Sequence, residues 1–183
     1  MLFASLSIII GLSLSVQTAV NSRLRGAVGS PFFATFASFL IGTLLLGLLT
    51  VFRGGDTFFP VGAPWWSYLG GVLGVIFLTS NILLFRPLGA VETMLLPVLG
   101  QVSMSLVIDH YGWFGSPQIS LGPVRILGAI LMLGGIALAV VMRKNTAPLS
   151  SAHTSRWHWH TLGLIAGGLS AIQSAVNGHL GTL

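Results

Sequence analysis

The stretch VQTAVNSRL, Val16–Leu24, returns near the other end of the chain as IQSAVNGHL, Ile172–Leu180. Placing Gln17 on Gln173 also places Gly11 on Gly167, Ala19 on Ala175, Val20 on Val176, Asn21 on Asn177 and Leu24 on Leu180. Chance similarity between two Gly- and Ala-rich helices does not explain a shared Gln and a shared Asn, because lipid disfavours both. A repeat whose opening helix is present twice does explain them.

A helix needs roughly 20 mainly apolar residues to cross a bilayer. Working outward from the first copy, five such runs precede the second, near residues 2–20, 32–52, 66–84, 90–108 and 122–142. SRLRGAVGSP, RGGDTFFPVGAP, FRPLG and DHYGWFGSPQIS separate them, each a Gly/Pro-rich or charged break. FRPLG is so short that the third and fourth helices must form an antiparallel hairpin. Trp65, Trp66, Tyr68, Tyr111 and Trp113 fall at predicted helix ends, where amphipathic rings favour the headgroup region. The polar stretch RKNTAPLSSAHTSRWHWH then reads as an aqueous linker, 143–160, before a sixth helix that starts near Thr161. The expected organisation is a five-helix unit over 1–142, the linker, and the first helix of a second repeat over 161–183.

A unit of five helices enters on one face of the bilayer and leaves on the other, so a tandem second copy is inserted upside down. Inverted repeats are a common plan of secondary transporters, with the substrate site at the repeat interface. The expected fold is an all-α integral membrane protein of about six transmembrane helices, the first half of a five-plus-five inverted-repeat transporter fold. On this layout the chain is a truncated form of a roughly ten-helix protein.

Composition points the same way. Hydrophobic residues make up 54% of the 183 and charged residues 6%, against about 25% charged in soluble domains. The net charge is +5, but its cations are scattered singly between apolar segments. Nucleic-acid binding requires them clustered on a wet face, so no nucleic-acid partner is expected. The chain has no cysteine, which excludes disulfides, thiol catalysis and thiolate metal sites. No Lys or Arg precedes the first apolar run, so that run lacks a signal peptide's basic region and reads as a retained helix. Arg53 and Arg125 fall on one side of the bilayer, and Arg23, Arg25, Arg86, Arg143, Lys144 and Arg156 on the other. The richer side should be cytoplasmic, which places the N-terminus outside and the linker inside.

The segment PWWSYLGGVLGVIFLTSNILLFRPLGAVETMLLPVLGQVSMSLVIDHYGWFG carries Trp65-Trp66 before a Gly-rich helix, PLGA opening helix four, Gly100-Gln101, and IDHYG closing that helix. With RILGAILMLGGIALA on helix five, it resembles the YdcZ-like branch of the drug/metabolite transporter superfamily. The resemblance covers residues 1–144, and the last helix matches a second copy. It implies five-helix units, paired or fused as inverted halves, that move small metabolites or drugs across the bacterial inner membrane. It supplies no substrate signature.

Polar residues inside spans mark candidate sites. Gln17 and Asn21 lie four apart, on one face of helix one, and Gln173 and Asn177 mirror them. They either line a substrate path or bond helices together, the latter contributing about 0.6–2 kcal/mol. Gln101, Ser105 and Asp109 form a stripe on helix four, with Gln101 the path candidate and Asp109 expected to fix a loop at the interface. Of Thr79, Ser80 and Asn81 on helix three, only Asn81 is a path candidate, since hydroxyls there usually bond back to their own helix. Glu92 is the acid within a predicted span. It is either a proton-coupling site or a helix N-terminal acid, favoured there by the dipole and paired with Arg86.

RWHWH sets His158 and His160 two apart, and such residues point to different sides of a helix. It reads as an interfacial anchor, not a metal site. The Gly-rich helices lack the Lys and the strand–loop–helix setting of a phosphate loop, and no Ser–His–Asp set or paired acids suggest an enzyme. No cofactor is expected. The partners expected are the bilayer, a small-molecule solute, and a second copy or missing half. The function expected is gradient-driven transport by alternating access. The competing reading is a non-transporting membrane subunit or inactive fragment bound to a partner membrane protein.

Overall fold

The structure is a computed structural model describing residues 2–54, 62–146 and 157–183. Among the described residues it is all-helical: α1 Leu2–Val28, α2 Pro31–Phe52, α3 Gly70–Tyr111, α4 Pro123–Thr146 and α5 Trp157–Leu180. Short 3₁₀ turns, Trp65–Leu69 and Trp113–Gly115, flank α3. Two helical stretches, Pro31–Phe52 and Trp65–Tyr111, are long and apolar enough to cross a membrane, and Pro123–Ala139 is a shorter apolar helix. Most of the linker and residues 55–61 lie outside the described residues.

The α1–α2 turn is written in three residues. Gly29 ends α1 at φ 79°, a left-handed cap that glycine adopts without a Cβ penalty. The Ser30 side chain then accepts the Phe33 N–H at 3.3 Å, and Pro31 supplies a first helical residue that needs no N–H partner.

α3 has 42 residues and would be about 63 Å long if straight. Instead the Trp66 and Phe114 rings, just beyond its two ends, stand 5.6 Å apart. Leu84, Leu88 and Leu96 pack into one buried cluster. The chain therefore reverses within α3, at Gly89, whose φ 73° and ψ 177° break the helical series. That backbone region is essentially open to glycine alone. The result is the hairpin that FRPLG predicts, with a first arm 70–88 and a second arm 90–111. Each arm is about 30 Å long, enough to span the hydrocarbon core.

Side-chain contacts fix the helix directions. Asn21 meets Ser38, and Leu24 packs on the cluster containing Ala34, so α1 and α2 are antiparallel. Thr35 meets Thr79, and Phe39 reaches Gly74, so α2 and the first arm are antiparallel. Asn177 lies over Gly70, Gln173 over Gly74, and Gly163 by Leu84, so α5 runs antiparallel to the first arm. Three reversals leave α1 and α5, which carry the repeated motif, pointing in opposite directions.

α5 sits in the cleft of the hairpin, and glycines permit it. A Cβ on Gly167 would collide with the Pro97 carbonyl, and one on Gly100 with the Leu164 carbonyl. Backbone touches backbone at this crossing, the close approach that small residues allow between membrane helices. Ile8, Ile10, Leu12, Leu14 and Val16 of α1 and Ile130, Leu131 and Leu138 of α4 are exposed. Apolar residues all round a helix are what a lipid environment accommodates.

The helices run past their expected limits at several ends: the first arm reaches residue 88, the second Tyr111 and α4 Thr146, against 84, 108 and 142. α1 continues to Val28, past the expected Val20, and α5 starts at Trp157 rather than near Thr161. Counting apolar residues locates the part inside hydrocarbon. Helices carry on through the headgroup layer, where Arg, Trp and His are tolerated.

Candidate functional site

Three polar regions emerge. The first ties α1, α2 and the first arm together. Asn21 is 4% exposed, and its Oδ1 accepts the Ser38 hydroxyl at 2.7 Å. The Thr35 and Thr79 hydroxyls are 2.9 Å apart, and Arg25 donates to the Ile82 carbonyl at 2.9 Å. Thr79 bonds across to another helix, which the expectation for span hydroxyls missed. Asn21 is at least partly a joint between helices. Its Nδ2 is buried with no hydrogen-bond partner among the described residues, which leaves a donor for a further group. Asn21→Ala is expected to lower stability by about 0.6–2 kcal/mol, and a double-mutant cycle with Ser38→Ala measures the shared part. A purely additive cycle would refute the joint.

The second region is the seam between the first arm and α5. Gln173 lies against Gly74 and Asn177 against Gly70. Asn81 is buried, with its Oδ1 lacking a partner among the described residues. At 100° per residue it lies within about 20° of Gly70 and Gly74, on the face turned to α5. Asn81, Gln173 and Asn177 thus share one seam. Gln101 is half-buried on the second arm, and Gln17 is exposed on α1. Among the described residues the α1 and α5 backbones make no close approach, so the two copies of the Gln/Asn pair are not brought together.

The third region is the bend of the hairpin. Glu92 is 5% exposed, and its Oε2 stands 3.2 Å from Nε2 of His160 in the first turn of α5. His160, expected to be part of an anchor, is a partner of Glu92, a role expected of Arg86. The i, i+2 spacing of His158 and His160 excludes a shared metal but says nothing of a residue on another helix. The bend places Glu92 one turn inside its arm, near the end that carries Arg25 and Arg86.

At the opposite end Asp109 pairs with Arg125, which also donates to the Ile119 carbonyl at 3.1 Å. Ile119 N–H reaches the Asp109 carbonyl at 2.8 Å. Asp109 thus fixes its loop, as expected. The His179 ring lies 4.9 Å from that of Trp66 and close over Gly115, tying the end of α5 to both ends of the hairpin. A groove of about 470 Å³ between the second arm and α5 is lined by Gly100, Met104, Leu164 and Gly168 among others. It is apolar, and no path candidate lines it. Among the described residues no three His, Asp or Glu side chains gather as metal ligands.

A family model described as "Putative inner membrane exporter, YdcZ" matches residues 2–138, from α1 through most of α4. No curated protein and no solved structure matches the chain.

Proposed function

The chain belongs to the YdcZ family of inner-membrane exporters, and from that premise we propose that it is the N-terminal part of an inverted-repeat secondary transporter. A small metabolite or drug binds between two oppositely inserted halves, which rock about it by alternating access. The observation that carries this reading is the placement of α5. It repeats the motif of α1, points the opposite way, and is seated in the α3 hairpin of the first unit. Asn81, Gln173 and Asn177, along the seam of the first arm and α5, supply amide contacts for the solute, Gln17, Asn21 and Gln101 join them once the second half is in place, and Glu92 is the proton site that couples transport to a gradient. The end bearing Arg23, Arg25 and Arg86 faces the cytoplasm, following the excess of basic residues there. The N-terminus then lies outside.

The test uses liposomes containing the protein, a trapped pH-sensitive dye and a panel of small solutes, with a pH gradient imposed. Solute-dependent proton movement is expected. Glu92→Gln should reduce it by about a hundredfold, in the range lost with an essential proton-transfer group. Gln17→Ala should slow solute flux. Flux that survives both substitutions would remove these residues from the site.

A further inference from the structure

The Glu92 carboxyl is only 5% exposed and has little contact with water of its own. The neighbour on its Oε2 is the His160 imidazole, whose side chain is 33% exposed against 7% for Glu92. The pair is graded, with one member inside the hairpin bend and the other reaching the aqueous end of α5. We propose that His160 is a proton relay between Glu92 and water at the end of the bundle that carries Arg23, Arg25 and Arg86. This rests on Glu92 being the coupling site.

The step balances without any further reactant. A hydronium ion protonates neutral imidazole at Nδ1 and becomes water. The imidazolium passes its Nε2 proton to Oε2 of the carboxylate. A neutral carboxyl and a neutral imidazole protonated at Nδ1 remain. Release from Glu92 runs these steps backwards from that tautomer: the carboxyl proton returns to Nε2, the Nδ1 proton leaves to water, and the ring is back in its starting form. An imidazole suits this role because its two nitrogens can accept on one side and donate on the other. Among the described residues, the other charged or titratable groups at this end are Arg23 and Arg25 of α1, Arg86 at the bend and His158 of α5, while Asp109, His110, Tyr111 and His179 of the same elements lie at the opposite end. The side chains of Arg143 and Lys144 at the end of α4 lie outside the described ones.

The chain has only three acidic residues, so infrared spectroscopy can resolve one protonated carboxyl. The protein in liposomes is subjected to a pH jump, and the Glu92 band is assigned as the one lost in Glu92→Gln. In His160→Gln the rate at which that band appears is expected to fall by about tenfold or more. Free imidazole is expected to restore it in His160→Gly, and His158→Gln to leave it unchanged. Rescue by imidazole is something a misfolded variant would not show. A band that appears at the wild-type rate in His160→Gln, or no rescue, overturns the relay while leaving Glu92 as the coupling site. A Glu92 band that never responds to pH in the wild type overturns the coupling reading itself, and the relay with it.

Discussion

Gly167→Leu is expected to unseat α5 from the hairpin, with a loss of stability of about 3 kcal/mol or more, at the upper end of what overpacking costs. The atom in the way is the carbonyl of Pro97, and a backbone group cannot rotate aside as a side chain does. Gly167→Ala meets the same obstacle and is expected to cost about 1–3 kcal/mol, although alanine is the better helix former. The neighbouring Gly168 is the control. A Cβ there would find only Met104 atoms, at 3.7 and 3.8 Å, which is ordinary contact. Gly168→Ala should therefore be neutral or slightly stabilising. Thermal unfolding in detergent measures all three variants. Equal behaviour of Gly167→Ala and Gly168→Ala would mean that α5 does not lie against Pro97.

The second large effect is expected at Gly89. Its φ of 73° with ψ of 177° is closed to residues with a Cβ, and forcing one there costs about 1–3 kcal/mol. Gly89→Val has a simpler escape, which is to continue the helix and open the hairpin. The Trp66 and Phe114 rings, 5.6 Å apart, report on this. With Cys introduced at both positions of a chain that has none, a flexible bis-maleimide cross-linker should join them in the closed hairpin, and the Gly89→Val chain should lose most of that product. Full cross-linking in Gly89→Val would show that the reversal does not depend on this residue's backbone. Loss of the hairpin would also remove the cleft for α5, so the two substitutions attack one packing unit from two sides.

Much of this fold is legible in the chain because its signals are local. FRPLG is too short for anything but a reversal, and the Gly29–Ser30–Pro31 run contains a stop, a cap and a start in sequence. The aromatic residues from Trp65 to Tyr68 and from Tyr111 to Trp113 fall at helix ends, as ring chemistry requires. The glycines of α5 that meet the hairpin give no sign in sequence of their partner, since a small residue fits any flat neighbour. The site was less legible for the same reason. His160 and Glu92 are 68 positions apart, and a histidine between two tryptophans looks like an interface anchor until its helix is placed. The hydroxyl pair Thr35–Thr79 and the Asn21–Ser38 bond likewise depend on which helix faces which. Each of those hydroxyls had a local partner available in its own helix, and Thr35 in fact also reaches the Pro31 carbonyl at 3.1 Å.

An inverted repeat requires α1 and α5 to cross the bilayer in opposite senses. Single cysteines placed just past the motif in each helix, at Val28 and at Leu183, can be labelled from outside intact cells with a reagent that does not cross membranes. Because α1 carries its C-terminal end inward and α5 outward, labelling at position 183 and protection at position 28 is the predicted result. The same accessibility at both positions would mean that the two copies of the motif run in parallel, and no inverted repeat would remain.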